Sequence, residues 1–275
     1  MKIPFTKAHG ARNDFLLTWA EDVTGGDARA MARAICHRHT GIGADGWMLV
    51  SPASDNDHGS IRLYNSDGSD SEISGNGTRC AAAFVLISSS AGGLETDTVR
   101  IGTGAGTKHL RVLSRRDRLF EFEMNMGSPS YHPQQLRFAL DVDGERLDAA
   151  ILNVGNPQCA VFVDEFPAGW RELGKRIEWH SMFPHRTNVS FVKVLDAHTI
   201  EVLFWERGAG ETMSSGTGST GAAAAAVLRK SAISPIEVRT PAGSLPVRWD
   251  SADLFLTGPA EIVAQGEFYF ESETS

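Results

Sequence analysis

The chain carries one design twice, and this duplication constrains its fold more than any other feature. Ser215-Gly216-Thr217-Gly218 runs into Ala222 to Ala226, Val227 and Leu228; earlier, Ser74-Gly75-Asn76-Gly77 runs into Cys80, Ala81 to Ala83, Phe84 and Val85. The offset is 215 − 74 = 141, about half of the 275 residues. Each copy reads as a glycine-rich turn opening an apolar helix. Such a helix start offers unpaired backbone N–H groups and a positive dipole end. One copy alone is accounted for by an N-capped core helix, since serine and glycine are ordinary caps. Two copies at half-chain spacing predict a pair of anion-holding ends that face each other across a cleft and grip one carboxylate from both sides.

The repeat continues past the helices. VRIGTGAG at 99–106 is matched by VRTPAG at 238–243, each following its helix by a similar interval. GTGAG is not read as a phosphate loop, because the KHLRVLSRR after it alternates like a strand. Both segments read as hairpin turns. The shared order of turn, helix and hairpin marks a duplication and not a solenoid.

The remaining pattern is strand-rich. β-like runs stand at 3–5 and 15–19, and HGARNDF between them puts Asn13 and Asp14 on a turn. A helix is expected over about 27–37, with Ala30, Met31, Ala34 and Ile35 on one face. His37 and His39 could share one face of a strand, but no further ligand accompanies them, so a solvated helix end is expected and no metal. The segment 61–70 reads as a strand emptying into a polar loop that carries Asn65, Asp67 and Ser69 towards Ser74, and the first helix is expected to end near 88–93. SPSYHPQQ reads as a linker, followed by strand-like runs at 137–142 and 149–154, a tight turn at Asn156-Pro157 and a helix near 170–177. Asn188 opens a further strand, and the strand at 200–208 delivers Glu206 and Arg207 into the second motif. Short, turn-rich connections predict largely antiparallel sheets, each organised on one apolar helix.

Composition narrows the partners. A net charge of −8 argues against nucleic acid. The amino terminus MKIPFTKAHG lacks the apolar core of a signal peptide, and no apolar run approaches the roughly 18–20 residues that span a bilayer. Cys36, Cys80 and Cys159 are odd in number and lack metal-ligand spacing, as reduced thiols of a cytoplasmic protein would.

Seven segments, HGARNDF, GIGADG, NSDGS-x-x-E-x-x-GNGTRC, NVGNP, FPHRTNV, ERGAGET and SGTGS, give the chain a close resemblance to the diaminopimelate epimerase family over nearly its whole length. These are pyridoxal-independent amino-acid epimerases, and proline racemases and phenazine-biosynthesis isomerases share their fold. The resemblance implies an α+β fold of two pseudosymmetric halves, each a mostly antiparallel sheet wrapped around a central apolar helix, with the site in the cleft between them. The halves fall at 1–127 and 128–262, with the tail from 263–275 returning to the first. It implies interconversion of LL- and meso-diaminopimelate by two-base α-proton exchange, without cofactor or metal, in the lysine and peptidoglycan precursor pathway. The partner is then a small amino-acid substrate, with no nucleic acid or membrane, and a homodimer is left open.

In that family two cysteines flank the α-carbon, immediately before the two glycine turns. Here those positions are Ser74 and Ser215, and the histidine that usually follows the GNP proline is Gln158. The resemblance makes Ser74, Ser215, Gln158 and Glu206 the expected catalytic positions. Asn13, Asn65, Asn156, Asn188, Glu206 and Arg207 match the residues that grip the distal amino and carboxyl groups, and the backbone at Gly75, Asn76, Gly216 and Thr217 matches the holder of the reacting carboxylate.

The substitution has a large chemical consequence. A thiol of pKa about 8.5 drops to roughly 3.5–7.5 at a helix N-terminus. A serine hydroxyl lies nearer bulk water, about 15.7. In matched surroundings the serine anion is harder to form by about seven units, on the order of 10 kcal/mol, while helix dipoles supply about 2 kcal/mol at best. Another group must assist the serines, or the usual rate is lost. Three readings stay open: an epimerase or related racemase with a Ser/Ser pair, an engineered Cys→Ser form, and an amino-acid-binding homologue without chemistry. Gln158 places natural divergence ahead of engineering, since a trap needs no change there.

Overall fold

A computed structural model of the chain describes residues 1–52, 54, 57–88 and 96–271. The chain divides into two compact units, Met1–Met124 with Gly258–Ser275, and Asn125–Thr257.

In the first unit, helix α1 (Ala28–Cys36) and helix α2 (Gly75–Ser88) arise from two different patterns. α1 is amphipathic, with Met31, Ala32, Ile35 and Cys36 buried, and Asp27 caps it by accepting the Arg29 N–H at 2.9 Å. α2 is buried from Gly75 to Leu86, with the apolar run Cys80 to Leu86 following a polar first turn of Asn76, Thr78 and Arg79, so it sits inside its unit. The expected helix end at 88–93 lies, past Ser88, outside the described residues.

The strands of this unit alternate between the two helices. Leu16 and Trp47 join Ile3, Met31, Ile35 and Tyr64 in the core under α1. Phe15 and Met48, their neighbours in sequence, turn to α2 instead. A Cβ on Gly77 would lie 2.1 Å from Met48 Cε and 3.3 Å from Phe15 Cζ, so α2 approaches closely because that position has no side chain. Asn13–Trp19 runs parallel to Gly46–Ser51, which is antiparallel to Gly59–Asn65. That strand is parallel to Thr98–Thr103, which is antiparallel to Gly106–Arg116. Lys2–Gly10 pairs antiparallel with Asn13–Trp19 and with the returning strand Asp253–Tyr269.

The second unit repeats this order. Pro157–Phe162 runs parallel to Asn188–Asp196, antiparallel follows with Thr199–Glu206, parallel with Ile236–Thr240 and antiparallel with Gly243–Asp250. Each parallel step needs a crossover connection. Helices α1 and α2 lie in the two crossovers of the first unit; α3 (Trp170–Glu178) and α4 (Gly216–Leu228) lie in those of the second. α3 covers a core of Val161, Leu173, Ile177, Val189 and Phe191, and α4 is buried from Gly216 to Ala226.

Even the hairpin turns correspond. Thr103 Oγ1 donates to Gly106 O at 2.7 Å and accepts the Ala105 N–H at 3.2 Å. Thr240 Oγ1 donates to Gly243 O at 2.7 Å and accepts the Ala242 N–H at 3.2 Å. The GTGAG segment is a hairpin turn.

The linker reading of SPSYHPQQ needs correction. Ser130–Tyr131 is a short strand whose residues pair with Asn153 and Leu152. Its proline- and serine-rich composition hides a two-residue strand too short to show alternation. His37 ends α1, its Nδ1 accepting the Thr40 N–H at 3.1 Å. Among the described residues no group of three or more His, Cys, Asp or Glu is placed to hold a metal, and no helix is long and apolar enough to cross a membrane.

Candidate functional site

The two helix starts are built alike. Ser74 Oγ accepts the Gly77 N–H at 3.1 Å, and Thr78 N donates to Ser74 O at 2.8 Å. Ser215 Oγ accepts the Gly218 N–H at 3.0 Å, and Ser219 N donates to Ser215 O at 2.9 Å. Neither helix carries an acidic residue in its own first turn, so any carboxylate at the positive end of its dipole comes from elsewhere in the chain.

Around Ser215 the second unit brings several of the expected site residues together. Ser215 is buried, and its Oγ donates to Glu206 Oε2 at 2.8 Å. Glu206 Oε1 accepts from Thr212 Oγ1 at 2.7 Å. Both strands of this small hairpin, Thr199–Glu206 and Gly210–Thr212, lead into α4, which is how Glu206 comes to lie over a serine nine positions on.

A second chain of amides reaches the same helix start. Gln158 Nε2 donates to Asn156 Oδ1 at 2.6 Å, and Asn156 Nδ2 donates to Thr217 Oγ1 at 3.2 Å. Gln158 packs on α4, where a Cβ on Gly221 would meet its Cγ at 2.9 Å. Gln158 Oε1 is buried without a hydrogen-bond partner among the described residues. Asn188 and Arg207 form a separate pair: Asn188 Oδ1 accepts the Arg207 N–H at 3.0 Å, and Asn188 Nδ2 donates to Pro157 O at 3.0 Å. The Arg207 guanidinium donates to His185 O at 3.2 Å.

In the first unit the relevant amides are tied to charge. Asn13 Nδ2 donates to Asp45 Oδ2 at 2.6 Å, Asn76 Nδ2 donates to Asn13 Oδ1 at 3.2 Å, and the Arg79 guanidinium donates to Asn76 Oδ1. A guanidinium only donates and a carboxylate only accepts, so the two ends dictate which way both amides point. Asn65 stands apart from this chain, closing its own turn by donating to Ser69 Oγ at 2.9 Å.

Titration reflects these surroundings. Burial pushes the Asp14 carboxyl up, but hydrogen bonds from Arg38 and Lys7, with their charges, outweigh it and hold Asp14 below the usual range. Burial pushes Asp45 up, against the hydrogen bond from Asn13 and helped by the Asp14 charge. Burial lowers the fully buried Arg79 guanidinium to about 10. It also raises Cys36, Cys80 and Cys159 to about 12, which leaves all three thiols protonated and unsuited to base chemistry.

Sequence reasoning did not single out Asp45, Arg79 or Thr212. All three lie inside quoted motifs, GIGADG, GNGTRC and ERGAGET, so the local signal was present but their partners were not. Glu178 lies in no motif.

The family described as "Diaminopimelate epimerase" has a model that matches residues 5–132 and 150–263. The chain is 37% identical over 278 residues to a diaminopimelate epimerase of Moorella thermoacetica, covering 96% of this chain and 98% of that one. It is 37% identical over 284 residues to a diaminopimelate epimerase of Ectopseudomonas mendocina, covering 97% and 99%. In fold it is similar to a hydroxyproline epimerase from Agrobacterium vitis, with a TM-score of 0.72 at 15% identity over 97% of this chain and 90% of that one. A probable proline racemase from Agrobacterium radiobacter has a TM-score of 0.74 at 14% identity, over 99% and 93%.

Proposed function

The chain belongs to the diaminopimelate epimerase family, and we propose that it binds an amino acid with two amino–carboxyl ends, of the diaminopimelate class, and exchanges its α-proton. Ser74 and Ser215 take the two positions at which the family carries cysteines. Asn13, Asn65, Asn156, Asn188, Glu206 and Arg207 hold the distal end. Backbone N–H groups at Gly75, Asn76, Gly216 and Thr217 hold the reacting carboxylate. The reading makes the protein a cytoplasmic isomerase of lysine biosynthesis that works without pyridoxal phosphate.

One observation supports the chemistry most: Ser215 Oγ donates to Glu206 Oε2 at 2.8 Å. A free alkoxide at Ser215 is out of reach on the arithmetic above. With Glu206 in place no free alkoxide has to form. As Oγ takes the α-proton, the hydroxyl proton passes to Glu206, and the substrate keeps the electron pair as a carbanion beside its carboxylate. Return of a proton along the same path restores both groups and gives exchange with the configuration kept; inversion requires delivery on the opposite face, where Ser74 stands in the family's arrangement. Gln158, at the position of the family's histidine, donates to Asn156, and an amide takes no part in such a transfer.

A second reading, amino-acid binding without chemistry, draws support from the first unit. The repeat equivalent of Glu206 is Asn65, since 206 − 65 = 141 as 215 − 74 = 141. An amide cannot accept the Ser74 proton.

Incubating the protein with LL- and meso-diaminopimelate in deuterium oxide separates the readings. Deuterium at the α-carbon is the expected outcome. Calorimetric binding without deuterium uptake would establish the binding homologue, and proline or alanine binding as well as diaminopimelate would sink the substrate class.

A further inference from the structure

Glu178 belongs to none of the motifs, yet its carboxylate is buried at the last turn of α3. Oε2 accepts from the Trp205 indole N–H at 2.8 Å, and Oε1 accepts the Gly208 backbone N–H at 3.0 Å and an Arg186 N–H at 3.2 Å. Trp205 and Gly208 bracket Glu206 and Arg207. Gly208 takes the left-handed conformation the turn needs, at φ 79°, without steric cost, so the turn's position is set by what its N–H and its neighbours bond to.

The rest of α3 bears on the same segment. A Cβ on Gly174 would lie 2.8 Å from Trp205 Cβ, so helix and strand touch at van der Waals distance only because residue 174 is glycine. One turn earlier, Arg171 Nη2 donates to Glu211 Oε1 at 2.8 Å, beyond the far side of the turn. α3 thus grips the hairpin 205–211 at three places along its length, from the sheet face opposite α4. A buried carboxylate is tolerated only when its lone pairs are met, and Glu178 meets its own with the Arg186 guanidinium and the two groups that bracket the pair.

We propose that Glu178 is a positioning residue for Glu206 and Arg207, setting the turn that presents both to the substrate. It touches no reacting atom and acts through the backbone of residues 205–208. The inference rests on the substrate-gripping role given to Arg207 and Glu206 above, but its first consequence does not. If the carboxylate holds the turn, replacing it releases the Gly208 amide whether or not any ligand binds.

The test uses the full chain with Glu178→Gln and Glu178→Asp. Glutamine keeps the volume but turns an N–H₂ towards donors it cannot accept from. Aspartate keeps the charge and draws it back by one methylene, which serves if the glutamine form fails to fold. Amide hydrogen exchange followed by mass spectrometry or NMR is expected to show Arg207 and Gly208 exchanging at least about ten-fold faster, with strand Asn188–Asp196 still protected. Unchanged exchange at Gly208 in a folded variant overturns the proposal. Binding gives the second readout: Glu178→Gln is expected to weaken diaminopimelate binding about ten-fold, and to add nothing once Arg207→Ala and Glu206→Gln are present. An undiminished further loss in that background would mean general destabilisation and overturn the positioning role. Should wild type bind no diaminopimelate while Gly208 still loosens, the substrate reading fails and the clamp on the turn stands.

Discussion

Ser215 Oγ lies 2.8 Å from Glu206 Oε2, while Ser74, its partner in the repeat, is matched with Asn65 at the position Glu206 occupies. The two helix starts share their backbone geometry and differ in what stands ready to take a proton. This asymmetry gives the chain's serines unequal chemistry and leads to the first expectation.

Restoring both thiols, Ser74→Cys with Ser215→Cys, is expected to raise turnover of LL- and meso-diaminopimelate by several orders of magnitude over wild type. The gain follows from the roughly seven-unit gap between thiol and hydroxyl acidities, which Glu206 relieves at Ser215 and an amide, Asn65, cannot relieve at Ser74. Each single restoration should gain far less, because inversion needs removal on one face and delivery on the other. Adding Gln158→His should raise the double variant further if a proton carrier beside Asn156 is required. Wild-type turnover equal to that of the restored forms would refute the acidity argument.

The native cysteines set a clean background for that experiment. With Cys36, Cys80 and Cys159 at about 12, about one thiol in ten thousand is ionised at pH 8. Ellman's reagent at pH 8 is expected to find no fast-reacting thiol in the native protein and three after denaturation. Ser74→Cys, half-buried at the start of α2 and with no carboxylate matched to it in the repeat, should add one fast thiol; a fast thiol in wild type would contradict the burial seen here.

Asp14 makes stability depend on acid pH. Its folded pKa is depressed, so its contribution is present above the unfolded value of about 3.9 and is lost as pH falls through the folded value. Lys7 lies 3.0 Å and Arg38 2.8 Å from the carboxylate, but Arg38 is 55% exposed, so solvent screens part of the attraction. Asp14→Asn is therefore expected to cost about 1–2 kcal/mol at pH 7. In urea titrations the cost should shrink towards zero as pH is lowered below about 4. A cost independent of pH would show that packing, and not charge, holds this corner.

The two motif glycines should not tolerate alanine equally. At Gly77 the nearest obstacle is Met48 Cε, the free end of a flexible chain, although it lies only 2.1 Å from the added Cβ. At Gly218 the obstacles are the Phe204 ring at 2.8 Å and Ser215 Oγ at 2.9 Å, neither able to swing aside. Gly218→Ala is expected to destabilise by about 1–3 kcal/mol, with Gly77→Ala costing less. Thermal denaturation of both variants decides the order; the reverse order would mean that Met48 is locked.

The sequence by itself determined the duplicated α+β architecture, the two buried helices and the serines at their heads. Those features rest on interactions within a few residues: a glycine turn, an N-cap and an apolar run that leaves a helix no place but the interior. The family motifs also mark Glu206, Asn156 and Gln158 as expected site residues. Only the tertiary structure decided which polar atoms meet. Asn76 finds Asn13 across 63 positions, Arg207 finds Asn188 across 19, and Glu178 reaches Gly208 from an outer helix 30 positions away. Such pairings depend on strand register and helix placement, which local patterns do not encode, and each side chain could have been satisfied by water instead. A hydrogen bond acquires its partner only when packing has excluded the others.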